Sequence, residues 1–166
     1  MKTIVFSVFL FAALFSSLFA QDVRPGASGG EPVISAIRVH LFYNKSAAWS
    51  GDLFESKRGS LANSMSGAQA SNASLVVIEV SGSPGAAYSG TGDPRSKRSV
   101  RLVARAAGKA VIDRSQPIPV LSDTGKAYLA FMIYPSGCDS IQLIATLVGA
   151  GRTESKDKSL DFACGE

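Results

Sequence analysis

The segment that decides the fold runs from Ala127 to Val148 and reads AYLAFMIYPSGCDSIQLIATLV. Two apolar runs, Ala127 to Tyr134 and Ile141 to Val148, flank the turn residues Pro135-Ser136-Gly137. Apolar side chains occupy both alternating positions of each run, which is typical of strands that are buried on both faces. The pattern predicts two central strands joined as an antiparallel hairpin.

Other strands follow from alternation with a period of two residues. The segment Val33 to Tyr43 (VISAIRVHLFY) is predicted to direct five side chains toward the core, namely Val33, Ile37, Val39, Leu41 and Tyr43. Shorter strands are predicted at Leu75–Val80, Val100–Ala106, Ala110–Arg114, Ile118–Leu121 and Ser159–Ala163. The polar segment between Gly149 and Lys158 is predicted to be a loop.

About eight strands and no helical segment predict an all-β protein with a single antiparallel β-sandwich. From Val33 to Cys164 the pattern resembles an immunoglobulin-like or related Greek-key domain with one disulfide. Antibody domains have a tryptophan between two cysteines, whereas Trp49 precedes both Cys138 and Cys164 here. The resemblance is therefore generic, and it implies no family function or binding residue.

The N-terminal region has the pattern of an export signal. Lys2 precedes an uncharged, apolar run from Thr3 to Ala20, which predicts a signal peptide over residues 1–20 with cleavage after Ala20. An uncleaved membrane anchor is the alternative, since the run reaches the lower limit of a spanning length. With cleavage, residues 21–32 form a flexible leader, residues 33–166 form the domain, and the mature chain has no transmembrane segment. The protein is predicted to be secreted or periplasmic.

Cys138 and Cys164 are the only two cysteines. An oxidising compartment favours a disulfide between them, which would staple the C-terminus. A redox-active pair is the alternative, but the chain has no C-x-x-C spacing. Two thiols and the single histidine cannot supply the four ligands of a structural zinc site.

Three residues are candidates for ligand binding. Trp49 could stack on a sugar ring or anchor a partner, and the alternative is that it covers the open end of the core. Arg101 and Arg105 share one face of a predicted strand next to a basic run, so they could contact an anionic glycan, a phospholipid headgroup or an acidic protein. The alternative for the arginines is a solvated sheet face that discourages aggregation.

Composition and motifs argue against several function classes. Removing Lys2 with the signal leaves 16 basic and 13 acidic residues, a balance of +3 that is too small to indicate nucleic-acid binding. His40 is the only histidine and lies within a predicted strand, and no nucleophile, metal or cofactor motif has the sequence context it needs. The chain is predicted not to be an enzyme and to use no cofactor. In a eukaryotic secretory route, Asn44 and Asn72 would be acceptors for N-glycosylation, and residues 95–98 would be a proteolytic processing site.

These observations favour a secreted or periplasmic, non-catalytic binding or interaction module with a protein or glycan partner. The first alternative is a structural accessory domain of an envelope or extracellular assembly. The second is a hydrolytic enzyme whose site only the tertiary structure assembles.

Overall fold

The computed structural model of the chain describes residues 30–55, 71–88, 97–135, 139–149 and 153–162. In these ranges the chain forms eight β-strands and no helix: β1 (Val33–Tyr43), β2 (Ala48–Trp49), β3 (Ala73–Ser81), β4 (Arg98–Ala106), β5 (Lys109–Pro117), β6 (Lys126–Ile133), β7 (Ile141–Gly149) and β8 (Glu154–Leu160). Within the same ranges there is thus no helix that could cross a membrane. The predicted all-β class is confirmed.

The strands form two antiparallel, four-stranded sheets. The first sheet has the order β2-β1-β3-β6, and the second has the order β5-β4-β7-β8. Strand β1 of the first sheet contacts β7 and β8 of the second, so the sheets pack against each other. Each sheet therefore has an inner face and an outer face.

The inner side chains of both sheets form one hydrophobic core. Its largest fully buried members are Phe131, Ile78, Leu102, Ile118, Leu121, Ile141, Leu143 and Leu160. Removal of this apolar surface from water is the main force that holds the sheets together. Strand β6 shows the pattern most simply, because exposed and buried residues alternate along its whole length.

The start of β1 departs from the predicted alternation. A β-bulge at Ser35 shifts the register between Ile34 and Ala36. Because the bulge adds one residue to β1, the side-chain parity reverses on its N-terminal side. Ile34 is therefore buried, whereas Val33, which was predicted to face the core, is 45% exposed.

The predicted hairpin between residues 127–134 and 141–148 is wrong. Strand β6 pairs with β3 in the first sheet, and β7 pairs with β4 and β8 in the second. The two strands are consecutive in sequence, but the chain changes sheets between them. Strand β7 is central as predicted, whereas β6 is an edge strand whose outward side chains Tyr128 and Met132 are exposed.

The segment Ile118–Leu121 is not a strand, contrary to the prediction. Instead, β5 continues to Pro117, and the next four residues lead the chain toward the first sheet. Ile118 and Leu121 are buried in the core, and the Leu121 N–H donates to the carbonyl of Ala86. Their apolar pattern reflects burial of a crossing segment rather than a sheet face.

The last strand begins earlier than predicted. Strand β8 covers Glu154–Leu160, which includes most of the polar segment expected to be a loop. Leu160 is its only buried residue, since β8 is an edge strand with polar side chains on both faces. Because the side chains of this edge strand are mostly polar, the hydrophobic pattern of the sequence did not predict a strand here.

Two residues of the predicted leader contact the domain. The Tyr88 hydroxyl donates to the carbonyl of Gly30 at 2.8 Å, and Arg98 forms an ion pair with Glu31 at 3.0 Å. The domain therefore holds the chain from Gly30 onward.

Candidate interaction face

The outward side chains of the first sheet form an aromatic and apolar surface. Antiparallel pairing aligns them in rows across the sheet, because side chains of paired residues point to the same side. We call this surface the aromatic face, and it comprises Trp49 and Phe42 in one row, His40, Leu75 and Met132 in the next, then Arg38, Val77 and Ala130, and finally Ala36, Glu79 and Tyr128.

Three large side chains of the aromatic face are open to solvent. Tyr128 is 53% exposed, Met132 47% and Trp49 44%. The Trp49 ring packs on the ring of Phe42, with centroids 5.0 Å apart and an angle of 58° between the planes. A tilted aromatic pair of this kind holds the indole in a defined orientation while leaving much of its surface accessible.

An ion cluster around Glu79 lies at one end of the aromatic face. The Glu79 carboxylate is only 5% exposed and pairs with Arg38 at 2.7 Å and with Lys126 at 2.9 Å. The Ser35 hydroxyl at the bulge donates a third hydrogen bond to it at 3.0 Å. The Arg38 guanidinium also lies 6.0 Å from the centre of the Tyr128 ring. The cluster thus joins three strands and the bulge of β1.

This arrangement stabilises the ionised form of Glu79. The hydrogen bond from Lys126 lowers the pKa of the Glu79 carboxyl below its ordinary value of 4.5, and the Ser35 hydrogen bond and the two nearby cations add to the effect against the opposing influence of burial. In turn, Glu79 raises the pKa of Lys126. Glu79 is therefore charged at neutral pH although it is almost fully covered.

The segment that follows β2 positions Trp49 and covers the free edge of β1. The Ser50 hydroxyl accepts the N–H of Leu41 at 2.9 Å, and an Asp52 carboxylate oxygen accepts the N–H of Val39 at 3.1 Å. The His40 ring nitrogen Nδ1 lies 3.0 Å from the carbonyl of Ser50. These contacts tie residues 50–52 to β1, and they account for the ordered position of Trp49 just before them.

Trp49 does not cover the open end of the core, which was the alternative use for this residue. It lies on the outer face, whereas nearby Leu53 enters the core and is 8% exposed. The exposed position is compatible with a contact residue, so ligand binding by Trp49 stays a prediction.

Arg101 and Arg105 lie on the outer face of the second sheet, as the strand pattern predicted. Arg101 forms a two-pronged ion pair with Asp113, at 2.7 and 2.6 Å, which lowers the pKa of that carboxyl. Arg105 lines a shallow concavity of about 330 Å³ together with Asp139 and Asp161. A carboxylate thus pairs with Arg101, and two carboxylates share the concavity with Arg105, so anionic-ligand binding by the two arginines stays a prediction.

Cys138 and Cys164 lie outside the described residues, so the predicted disulfide stays a prediction. In the part of the chain that the structure describes, no three residues among His, Cys, Asp and Glu are grouped to hold a metal ion.

Sequence reasoning missed the other members of the aromatic face. It treated Tyr128 and Met132 as buried residues of a central strand, because both phases of their segment are apolar. It also gave no role to Glu79, although a carboxylate within the apolar run LVVIEV signals a paired charge. The position of β6 at the sheet edge, which exposes Tyr128 and Met132, depends on topology that the local pattern does not contain.

No family model matches this chain, and no curated protein matches it. Any assignment of function therefore depends on the geometry of its own surfaces.

Proposed function

We propose that this chain is a secreted or periplasmic, non-catalytic module that binds a protein partner through the aromatic face. The observation that carries this proposal is the exposure of Trp49, Tyr128 and Met132 on one sheet face, which has a charged cluster at one end. Tryptophan, tyrosine, methionine and arginine are the residue types enriched in the centres of protein interfaces.

The shape and charge of the aromatic face favour a protein over a small ligand. Its residues spread over four neighbouring strands of a sheet, whereas small-molecule sites are concave and enclose most of the ligand. Arg38 and Lys126 together carry one more charge than Glu79 balances. A partner surface that combines apolar groups with a carboxylate near Arg38 would complement this arrangement.

Capture experiments with matched variants test the proposal. Mature wild-type protein is immobilised and exposed to proteins of the same compartment, in parallel with Trp49→Ala, Tyr128→Ala and Val148→Ala. Val148 is 43% exposed on the other sheet and serves as the control. Truncation of an interface anchor costs on the order of 2 kcal/mol, so each of the first two variants should weaken binding of a captured protein about 30-fold.

Two results would overturn the proposal. One is a captured protein that binds all three variants as well as it binds the wild type. The other is binding to a glycan array that Trp49→Ala and Tyr128→Ala abolish, since this would identify the aromatic face as a sugar-binding surface instead.

The finer fold assignment that we propose is an immunoglobulin-like or related Greek-key β-sandwich. Apart from the two-residue β2, the first, second and fifth long strands (β1, β3 and β6) form the first sheet, and the third, fourth, sixth and seventh form the second. This distribution supports the proposal, because immunoglobulin-type domains divide their A, B, E and C, F, G strands in the same way. The fourth long strand, β5, pairs with the third, whereas in antibody constant domains it joins the other sheet.

We further propose export and a Cys138–Cys164 disulfide. Ile141 and Leu160 are paired at one end of β7 and β8. Cys138 precedes Ile141 by three residues and Cys164 follows Leu160 by four, so the two cysteines are attached to adjacent strand ends. Intact-mass measurement after thiol alkylation of exported protein should give a chain that begins at Gln21 and carries no alkyl group. Alkylation of both cysteines in folded protein would exclude the disulfide.

A further inference from the structure

Three of the four sheet edges are protected against pairing with another chain. The edge of β1 is covered by β2 and by the hydrogen-bonded residues 50–53. Strand β5 carries Asp113 and Arg114 and ends at Pro117, and β8 consists of charged and polar residues except for Leu160 (ESKDKSL). Short strands, charges and prolines are the usual means by which proteins prevent edge-to-edge association.

In the part of the chain that the structure describes, the edge of β6 lacks these protections between Lys126 and its end. The segment AYLAFMI carries no charge and no proline, and its outward side chains Tyr128 and Met132 are exposed. Among the described residues, β5 of the second sheet approaches this edge, and the Gln116 side-chain amide donates a hydrogen bond to the carbonyl of Ala130 at 2.8 Å. An exposed, apolar edge strand is a template for pairing with a further strand.

The hydrogen bonds at both ends of this edge show which backbone groups are directed outward. The Lys126 N–H and carbonyl bond to Ser122, and the Ala130 carbonyl bonds to Gln116, so both residues point away from β3. The N–H and carbonyl of one residue point to the same side of an antiparallel strand, and alternate residues share that direction. Tyr128, Ala130 and Met132 therefore present their backbone groups to the free edge.

We propose that a second copy of this chain pairs with β6, antiparallel and about a two-fold axis at Ala130. In this register Ala130 pairs with Ala130 of the second copy, and Tyr128 pairs with Met132 of the second copy. Each pair exchanges two backbone hydrogen bonds, as outward-directed residues do in an antiparallel ladder. A register shifted by two residues in one direction would need Lys126, whose backbone groups Ser122 already occupies, and a shift in the other direction would need Tyr134, which lies beyond the end of β6.

The side chains of β6 suit pairing with a copy of itself. Each pair of Tyr128 and Met132 brings an aromatic ring next to a thioether, which is a favourable cross-strand contact. The only charge of the strand, Lys126, lies at its start, so antiparallel pairing places the two lysines at opposite ends of the interface. On pairing, the hydrogen bond from the Gln116 amide to the Ala130 carbonyl breaks. The N–H of Ala130 in the second copy donates to that carbonyl instead.

The dimer joins two four-stranded sheets into one continuous sheet. Because the two-fold axis is perpendicular to that sheet, the two aromatic faces lie on the same side. The pairing does not require the protein partner proposed above. The two proposals share Tyr128 and Met132, but Trp49 lies at the opposite edge of the sheet and takes no part in the pairing.

Sedimentation equilibrium of the mature protein over a range of concentrations tests the pairing. We expect a monomer–dimer equilibrium for the wild type and a monomer for Ala130→Pro. Proline removes the outward N–H of residue 130 without removing a bond to β3, so circular dichroism should report an intact fold. Trp49→Ala should dimerise like the wild type, which separates this test from that of partner binding.

Charge exchange tests the register. The double variant Tyr128→Lys, Met132→Lys places lysines opposite each other across the axis and should be monomeric, as should the variant with glutamate at both positions. A mixture of the two should form a heterodimer. The control Val111→Lys, Val148→Lys adds the same charge at exposed positions of the second sheet and should still dimerise.

Three results would overturn the proposal. They are a wild-type protein that stays monomeric at millimolar concentration, an Ala130→Pro variant that dimerises as strongly as the wild type, and lysine and glutamate variants that fail to associate when mixed.

Discussion

The outer faces of the two sheets differ in how they hold their charges. On the aromatic face, Glu79 is 5% exposed and bonds to two cations and a hydroxyl beneath aromatic and apolar neighbours. On the outer face of the second sheet, Arg101 and Asp113 form a pair in which each side chain is about half exposed. The other rows of side chains on this second outer face are mostly polar, with Thr146 next to Ser155 and Gln142 next to Ser159.

The difference teaches that an ion pair contributes differently on a covered surface and on a solvated one. Water solvates the Arg101–Asp113 pair in either protonation state, so the pair stabilises the fold little. The Glu79 carboxylate has lost most of its water and depends on its protein partners. One face is therefore organised around a covered charge with apolar surroundings, whereas the other is an ordinary solvated sheet face.

The largest expected effect tests whether one side of β6 is buried in the core while the other side is exposed on the aromatic face. Phe131 is 2% exposed and faces the core, whereas its neighbour Met132 is on the aromatic face. Phe131→Ala should lower the free energy of unfolding by about 3 to 5 kcal/mol. Met132→Ala should lower it by less than about 1 kcal/mol. Urea denaturation measures both, and similar losses would show that β6 is not an edge strand.

A second pair of substitutions compares the charges themselves. Glu79→Gln keeps the size of the side chain but leaves Arg38 and Lys126 without their carboxylate, and should cost about 2 to 3 kcal/mol. Asp113→Asn makes the same chemical change on the solvated face and should leave the denaturation midpoint nearly unchanged. Equal midpoints for the two variants would contradict the distinction between the faces.

The smallest expected effect concerns acid stability. The folded-state pKa of Glu79 lies below its ordinary value of 4.5, so its contribution is complete above about pH 5 and is lost as the pH falls through the folded-state pKa. The stability difference between wild type and Glu79→Gln should therefore shrink on acidification from pH 6 to pH 3. Urea unfolding at constant ionic strength measures it, and a difference that is independent of pH would show that the carboxylate is not the stabilising group.

Alternation with a period of two residues predicted the class of the fold and most strand positions. It succeeded for β1 and β4, where apolar and charged side chains alternate and only one face can be buried. It also placed Arg101 and Arg105 on the same outer face. Such predictions work because the pleat fixes the side to which each residue points, whatever the neighbouring strands are.

The partners of each strand could not be predicted in the same way. Strands β6 and β7 have similar apolar runs, yet one is an edge strand and the other is central, because β6 pairs only with the distant β3 whereas β7 pairs with the distant β4 as well as with β8. The aromatic face could not be recognised for the same reason, since its rows combine residues of β1, β3 and β6. The bulge at Ser35 likewise depends on pairing, and it exposes Val33, which was predicted to face the core, and buries Ile34 instead.

The chain crossing at Ile118–Leu121 has a consequence for the order of folding. Strands β4 and β5 are joined by the two-residue turn Ala107-Gly108, whose positive φ angles of 47° and 77° suit a tight hairpin, so this pair forms from local contacts. Strand β6 reaches its partner β3 only after the chain has passed through both strands of that hairpin. Pairing across so long a loop is slow, and until it occurs the apolar edge of β3 stays open to other chains. Refolding yield should therefore fall as protein concentration rises, because the time spent waiting for β6 is also the time available for aggregation.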